Sequence, residues 1–295
     1  MLHPSRGASF LQPPDWSFPI RRDLLLLVQQ ALGDRYTVER EVARGGAGRV
    51  FLAIDGAGQR VALKVLHPEL AVSVTAERFL REIGLLSRLD HPLIAKLLDY
   101  GEQNWLVYYA MSYADGPTLR GHLDRVRRAS VDDVIRIADD LLSALGYAHH
   151  RGVMHRDVKP DNVILSPAGA MLLDFGIAKA IEAAGSERLT KSGFTVGTSS
   201  YMSPEQVSAL DSIDHRSDIY SLGCVLFEAL TGHPPFAHRN EAIVLQMQLT
   251  APPPDVRQYR PDIPEGLAVT LSRAMNKDPA ARWQSAEAMK AALVL

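Results

Sequence analysis

Residues 155–162 read His-Arg-Asp-Val-Lys-Pro-Asp-Asn. Asp157 can accept a proton, a cation follows two residues later at Lys159, and Asn162 offers an amide oxygen three residues beyond that. Residue types at this spacing can hold a reacting hydroxyl, a transferring phosphate and a metal ion together. Twelve residues after Asn162 comes Asp174-Phe175-Gly176, a second hard-oxygen ligand behind the short apolar run Met171-Leu172-Leu173.

Two further features suit a phosphate-bearing ligand. Ala43-Arg44-Gly45-Gly46-Ala47-Gly48 lies between two strand candidates, where a flexible backbone can fold over phosphates. A plain hairpin explains this turn equally well. A dinucleotide fingerprint needs a helix directly after the turn, and Val50-Phe51-Leu52-Ala53-Ile54 reads as strand instead. Lys64 ends the apolar run Val61-Ala62-Leu63, and an interior lysine is costly unless paired. Glu82, on the apolar face of the next helix, is the expected partner.

The elements that must position these groups follow from periodicity. Tyr36–Val42, Arg49–Asp55 and Arg60–Leu66 read as three strands of an antiparallel meander. A helix over about Thr75–Leu89 carries Phe79, Glu82, Ile83, Leu86 and Leu89 on one face. Ala95–Tyr100 and Trp105–Met111 are two more strand candidates. After Gly116 the pattern turns helical. Ser130 is a good N-cap for a helix with Val134, Ile137, Leu141, Leu142, Leu145 and Ala148 inward. Ser217 stands likewise before Asp218–Leu230, a stretch apolar enough to be buried on nearly all sides. Residues 251–264 are Pro-rich and read as a connecting loop. Helices near Leu267–Met275 and Ser285–Leu295 close the chain. Strands first and helices later predict an α+β fold in two lobes with a cleft between them. Residues 1–34, punctuated by Pro4, Pro13, Pro14 and Pro19, read as an irregular extension or a single helix with no assigned chemistry.

Bulk composition narrows the classes. The 295 residues are 46% hydrophobic and 22% charged with net charge −2, giving no reason to invoke a nucleic-acid surface. Cys224 is the only cysteine, which excludes an internal disulfide and suits a buried structural thiol. No apolar run approaches the ~20 residues that span a bilayer, and a cytoplasmic location is the expectation. His149-His150 lack ligand partners at metal-binding spacing, and His155 reads as a packed scaffold residue.

The ordered set resembles the signature of protein kinases, specifically bacterial enzymes similar to the eukaryotic serine/threonine type, over about Tyr36–Leu295. The resemblance implies a small antiparallel β-sheet lobe with one main helix and a larger helical lobe. It places the small lobe at about 35–111, a hinge at 112–116 and the large lobe at 117–295. It implies ATP as donor and Mg²⁺ (or Mn²⁺) as metal. Asp157 would orient and deprotonate the acceptor hydroxyl, and Lys159 would neutralise the γ-phosphate. Lys64, paired with Glu82, would reach the α- and β-phosphates. Asn162 and Asp174 would hold the metal ions. Thr198 matches the position that contacts the base and lysine in the serine/threonine branch. The nucleotide would lie among Val42, Ala43, Gly45, Gly46 and Gly48, with Ala43 replacing the first glycine of G-x-G-x-x-G. Val50, Ala62 and Ile164 would sandwich the adenine, with Met111 behind it and Ser112, Tyr113 and Ala114 as hinge. Glu205 of Ser203-Pro204-Glu205, Arg282 and Asp218 match structural positions.

The segment between Asp174 and Glu205 is polar and aperiodic, so phosphorylation at Thr190, Ser192 or Thr195, read by Arg156, is expected to order it. Autophosphorylation, with possible homodimer formation, and a protein substrate follow as expectations. The alternative is a catalytically impaired nucleotide-binding scaffold. Such a scaffold would be signalled by loss of Lys64, Asp157 or Asp174, and all three are present.

Overall fold

Strict alternation of side chains across strands builds the first half of the protein. A computed structural model describes residues 21–45, 48–66, 76–104, 106–177, 198–210 and 213–293. Strands β1 (Tyr36–Gly45), β2 (Gly48–Asp55), β3 (Arg60–Leu66), β4 (Leu97–Gln103) and β5 (Leu106–Ser112) form one antiparallel sheet in the order β1-β2-β3-β5-β4. Helix α1 (Arg21–Leu32) precedes it and α2 (Ala76–Leu86) interrupts it. On β5, Leu106, Tyr108 and Ala110 join the core cluster of α1, whereas Val107, Tyr109 and Met111 join that of α2. On β3, Val61, Leu63 and Val65 share the first cluster and Leu66 the second. A period of two therefore gives the sheet two apolar faces, each roofed by one helix.

The expected meander is present, with β1 running on to Gly45. The expected N-terminal helix is more than an appendage: Val28 and Leu32 are buried against Tyr36, Val38, Phe51 and Leu63.

The second half is organised around two helices. Helix α3 (Leu119–Val126) leads to α4 (Val131–His149), which Ser130 caps by accepting from the Asp133 amide. A hairpin of β6 (Val163–Ser166) and β7 (Gly169–Leu172) follows. Next come a short helix α5 (Pro204–Val207), then α6 (Arg216–Thr231), α7 (Glu241–Thr250), α8 (Glu265–Ala274) and α9 (Ala286–Leu293). Every residue of α6 from Ser217 to Leu230 is buried, as its composition predicts. Burial pushes the Cys224 thiol up to about 12 and keeps it a packing group. Among the described residues no helix is long and apolar enough to cross a membrane.

Two expectations need correction. Ser217 does not cap α6: the helix starts at Arg216, and the Ser217 hydroxyl donates to Glu205 Oε1 at 2.5 Å. The helix begins before its apolar run, so Ser217 already lies in the first turn, its N–H donating to Asp214 O at 3.0 Å. The Pro-rich stretch 251–264 is not a bare connection, because its 3₁₀ turn Val256–Gln258 and Ile263 bury Val256 and Ile263 in the core.

Candidate active site

Register brings the first groups together. Lys64 on β3 stands opposite Tyr109 on β5, and Val50 on β2 stands opposite Lys64. Ala62 pairs with Met111. These residues therefore line the inner sheet face. At its edge β2 begins at Gly48, whose φ is 159° and where a Cβ would meet Val65 O at 2.2 Å, so only glycine fits. Val42, Ala43 and Gly45 lie exposed on the end of β1, and Gly46 falls outside the described residues.

The Lys64 ammonium pairs with Asp174 Oδ2, and the two side chains are only 12% and 16% exposed. The expected Lys64–Glu82 pair is not formed. Asp174 also accepts from the fully buried Tyr109, so its carboxylate is held at the sheet where the Lys64 ammonium reaches it. The Tyr109 hydroxyl donates to the other Asp174 oxygen at 2.9 Å. Burial pushes the Asp174 carboxyl up, but the Lys64 charge and hydrogen bonds from Lys64 and Tyr109 outweigh it and hold the group below its ordinary range. Asp174 itself sits at φ 57°, a strained conformation for a non-glycine residue.

The catalytic-loop candidates are joined to the segment that carries Asp174. Lys159 Nζ lies 2.8 Å from Asp157 Oδ2. The Asn162 amide donates to Asp157 O at 2.8 Å and to Asp157 Oδ2 at 3.0 Å. Leu173 N–H donates to Asn162 O at 2.9 Å, joining the two segments by main chain. His155 Nε2 donates to Leu173 O at 2.7 Å, its Nδ1 accepts the Asp157 amide at 3.2 Å, and its ring packs on Phe175 at 4.6 Å. That is the scaffold role its sequence context suggests.

Asp218 anchors the loop from α6. Its carboxylate accepts from the His155 and Arg156 amides, each at 2.8 Å, and from His149 Nε2 at 2.8 Å. Arg156 is held at φ 66°, so these bonds stabilise a turn the chain would otherwise avoid. Burial raises the Asp218 carboxyl, and its donors, led by His149, bring it below the ordinary range.

The remaining walls come from both halves. Ile164 on β6 bridges to Thr118. Gly116 lies against Leu165 O, which a Cβ would meet at 2.1 Å, with φ at 149°. Ser112 ends β5, its N–H donating to Lys96 O at 2.9 Å. Arg60 spans the connection by pairing with Asp115 and lying 5.1 Å from the Tyr113 ring; Ala114 lies between those residues.

Further out, Arg282 is fully buried and donates to both Glu205 oxygens at 2.7 and 2.8 Å. Burial pushes Glu205 up, and Arg282 with Ser217 brings it below the ordinary range. Thr198 opens a 3₁₀ turn, Thr198–Tyr201. Thr190, Ser192 and Thr195 lie outside the described residues.

Three participants escape the sequence reading. Tyr109 is one: a tyrosine two residues before Met111 faces the same side, and its hydroxyl needs a partner when buried. Arg120 is another, donating to both Glu228 oxygens at 2.8 and 3.1 Å and to the Tyr201 hydroxyl at 2.6 Å. Gln206 is the third. With Ser203 it completes a capping box, a Ser-x-x-Gln signal legible in the chain, and its amide donates to Arg156 O at 2.8 Å.

Comparison with known proteins matches residues 36–294 to the protein kinase domain. The serine/threonine-protein kinase pkn3 of Myxococcus xanthus is 39% identical over 280 residues, covering 90% of this chain and 50% of the relative. The serine/threonine-protein kinase PknB of Mycobacterium leprae is 39% identical over 270 residues, covering 89% and 43%. A probable serine/threonine-protein kinase of Streptomyces coelicolor is 36% identical over 266 residues, covering 88% and 39%. The chain thus spans half or less of the length of these relatives.

Proposed function

The chain belongs to the protein kinase domain family, and from that premise we propose that it transfers the γ-phosphoryl group of ATP to serine or threonine hydroxyls of protein substrates. The observation that supports the reading is the Lys64–Asp174 pair and the Asp157–Lys159–Asn162 cluster, joined by the main-chain bond from Leu173 to Asn162.

In this reading Asp157 accepts the proton of the acceptor hydroxyl as its oxygen attacks phosphorus and the bond to ADP breaks. Lys159, already beside Asp157, offsets charge on the transferred group. Lys64 leaves Asp174 for the α- and β-phosphates, with Glu82 as its second carboxylate. Thr198 supports Asp157 and Lys159. Val50, Ala62, Met111 and Ile164 flank the base, the hinge Ser112, Tyr113 and Ala114 meets its edge, and the β1–β2 turn covers the phosphates.

The donor set suits a hard divalent cation. Asn162 commits its amide nitrogen to Asp157, which leaves its oxygen as the ligand atom, and Asp174 is held ionised. Among the described residues no group of three or more His, Cys, Asp or Glu side chains can enclose a metal, so phosphate oxygens would complete the shell. Mg²⁺ or Mn²⁺ held by Asn162 and Asp174 would neutralise charge on the phosphates.

The decisive experiment is transfer of labelled phosphate from ATP with Mg²⁺ or Mn²⁺ to a generic protein acceptor and to the chain itself. Asp157→Asn loses at least ~10²-fold in rate, the low end of what a positioned base contributes. Equal transfer by wild type and variant would leave a nucleotide-binding scaffold as the better reading. Self-modification is proposed at Thr190 and Ser192 first and Thr195 next, with Arg156 receiving the phosphate. Mass mapping after incubation with ATP checks this, and unmodified peptides from an active preparation would count against it.

A further inference from the structure

Asp174 is gripped from two sides, and only one of the two partners belongs to the roles assigned above. Lys64 holds Oδ2 and the Tyr109 hydroxyl holds Oδ1. Tyr109 is fully buried among Phe79, Ile83, Leu97 and Met111. Its ring lies 6.3 Å from that of Phe79 on α2, the helix that also carries Glu82. A phenol in such surroundings keeps its hydroxyl satisfied only while Asp174 points toward the sheet. Rotation of the carboxylate away would strand a buried donor.

We infer that Tyr109 is a positioning residue for Asp174: its hydroxyl fixes the orientation of the carboxylate, so that Oδ2 is presented to the metal once Lys64 moves to the phosphates. The inference rests on the reading of Asp174 as a metal ligand. A carboxylate oxygen has two lone pairs, and Oδ1 is the one the sheet retains. Because Tyr109 packs on Phe79, the position of α2 is coupled to the aim of Asp174 through a single aromatic side chain.

The test titrates a fluorescent ATP analogue onto the full chain at rising Mg²⁺, using wild type, Tyr109→Phe, Tyr109→Met and Asp174→Asn. Tyr109→Phe keeps the ring on Phe79 and removes only the donor, while Tyr109→Met fills similar space should the ring variant fold poorly. Both Tyr109 variants are expected to bind the Mg²⁺-free analogue as wild type does. Their Mg²⁺ half-saturation should rise about tenfold, the equivalent of one hydrogen bond to a charged group. A purely structural role would instead weaken binding equally with and without metal. An unchanged or lowered half-saturation in a folded Tyr109 variant overturns the inference and leaves the kinase reading intact. Mg²⁺ dependence that survives in Asp174→Asn overturns the metal assignment, and this inference with it.

Discussion

Arg282 and Glu205, 77 residues apart in sequence, meet in the core through two parallel hydrogen bonds of 2.7 and 2.8 Å. The same guanidinium also donates to the carbonyls of Asn276, Arg216 and Lys277. It thereby ties the segment that enters α5 to α6 and to the loop after α8. Removing one partner leaves an uncompensated buried charge, so Arg282→Ala is expected to cost roughly 3–5 kcal/mol in unfolding free energy. Urea denaturation measures this, and a cost below about 1 kcal/mol would contradict the assigned role.

The Glu205 pair also fixes a pH dependence. Because the folded carboxyl lies below its ordinary value, the unfolded chain binds more protons as pH falls. The stabilisation is complete above the ordinary glutamate range and disappears as pH drops through the depressed folded value. Melting temperatures measured between neutral and acid pH should therefore fall less steeply for Glu205→Gln than for wild type.

Asp218 holds the proposed catalytic loop through its backbone. It accepts from the His155 and Arg156 amides and so maintains the positive φ of Arg156. Asp218→Asn keeps one acceptor and loses the charge, so Asp157 should drift while the nucleotide walls stay in place. Steady-state kinetics are expected to show kcat lowered about 10- to 100-fold, matching roughly 1–3 kcal/mol of released strain. KM for ATP should change little. A rise in KM with kcat intact would point to a different role.

Lys64 and Glu82 should separate in stability measurements. Lys64→Met removes the counter-charge of a sequestered carboxylate and is expected to cost roughly 3 kcal/mol. Glu82→Gln should stay within about 0.5 kcal/mol, because Lys64 pairs with Asp174 and not with Glu82 here. Similar losses for both would show that Lys64 depends on Glu82 in the resting protein after all.

Helix α1 predicts a stability effect far from the chemistry. Leu32 is 1% exposed and packs on the outer sheet face. Leu32→Ala should cost about 2–5 kcal/mol by leaving a cavity there. Thermal unfolding that is unchanged would mean the helix is a loose passenger.

Much of this arrangement is legible from the chain, and the exceptions have physical causes. Short β-branched and aromatic runs identify β2, β3 and β5, with Gly-rich turns bounding β2 and β3, and apolar density identifies α6, because these signals are carried by the local sequence. The octapeptide around Asp157 and the Asp174 tripeptide announce themselves because their spacing is contiguous. The partner of Lys64 is not legible: Glu82 and Asp174 are both carboxylates, and only the tertiary fold, which sets Asp174 beside Lys64 and Tyr109, chooses between them. Ser217 misleads because the helix begins before its apolar run, at Arg216, which places the serine inside the first turn. Tyr109 is hidden because its register opposite Lys64 exists only once β3 and β5 pair. The docking of α1 is equally silent, since its leucines state that a face must be covered and not which one.

The β6–β7 hairpin lies between Asn162 and Asp174 and is closed by the Leu173-to-Asn162 main-chain bond. It works as a caliper whose jaws are Asn162 and Asp174, the two oxygen donors of the proposed metal site. Their opening is set by peptide geometry and a four-pair ladder, so agents that loosen apolar packing should leave this gap constant until the ladder itself unzips.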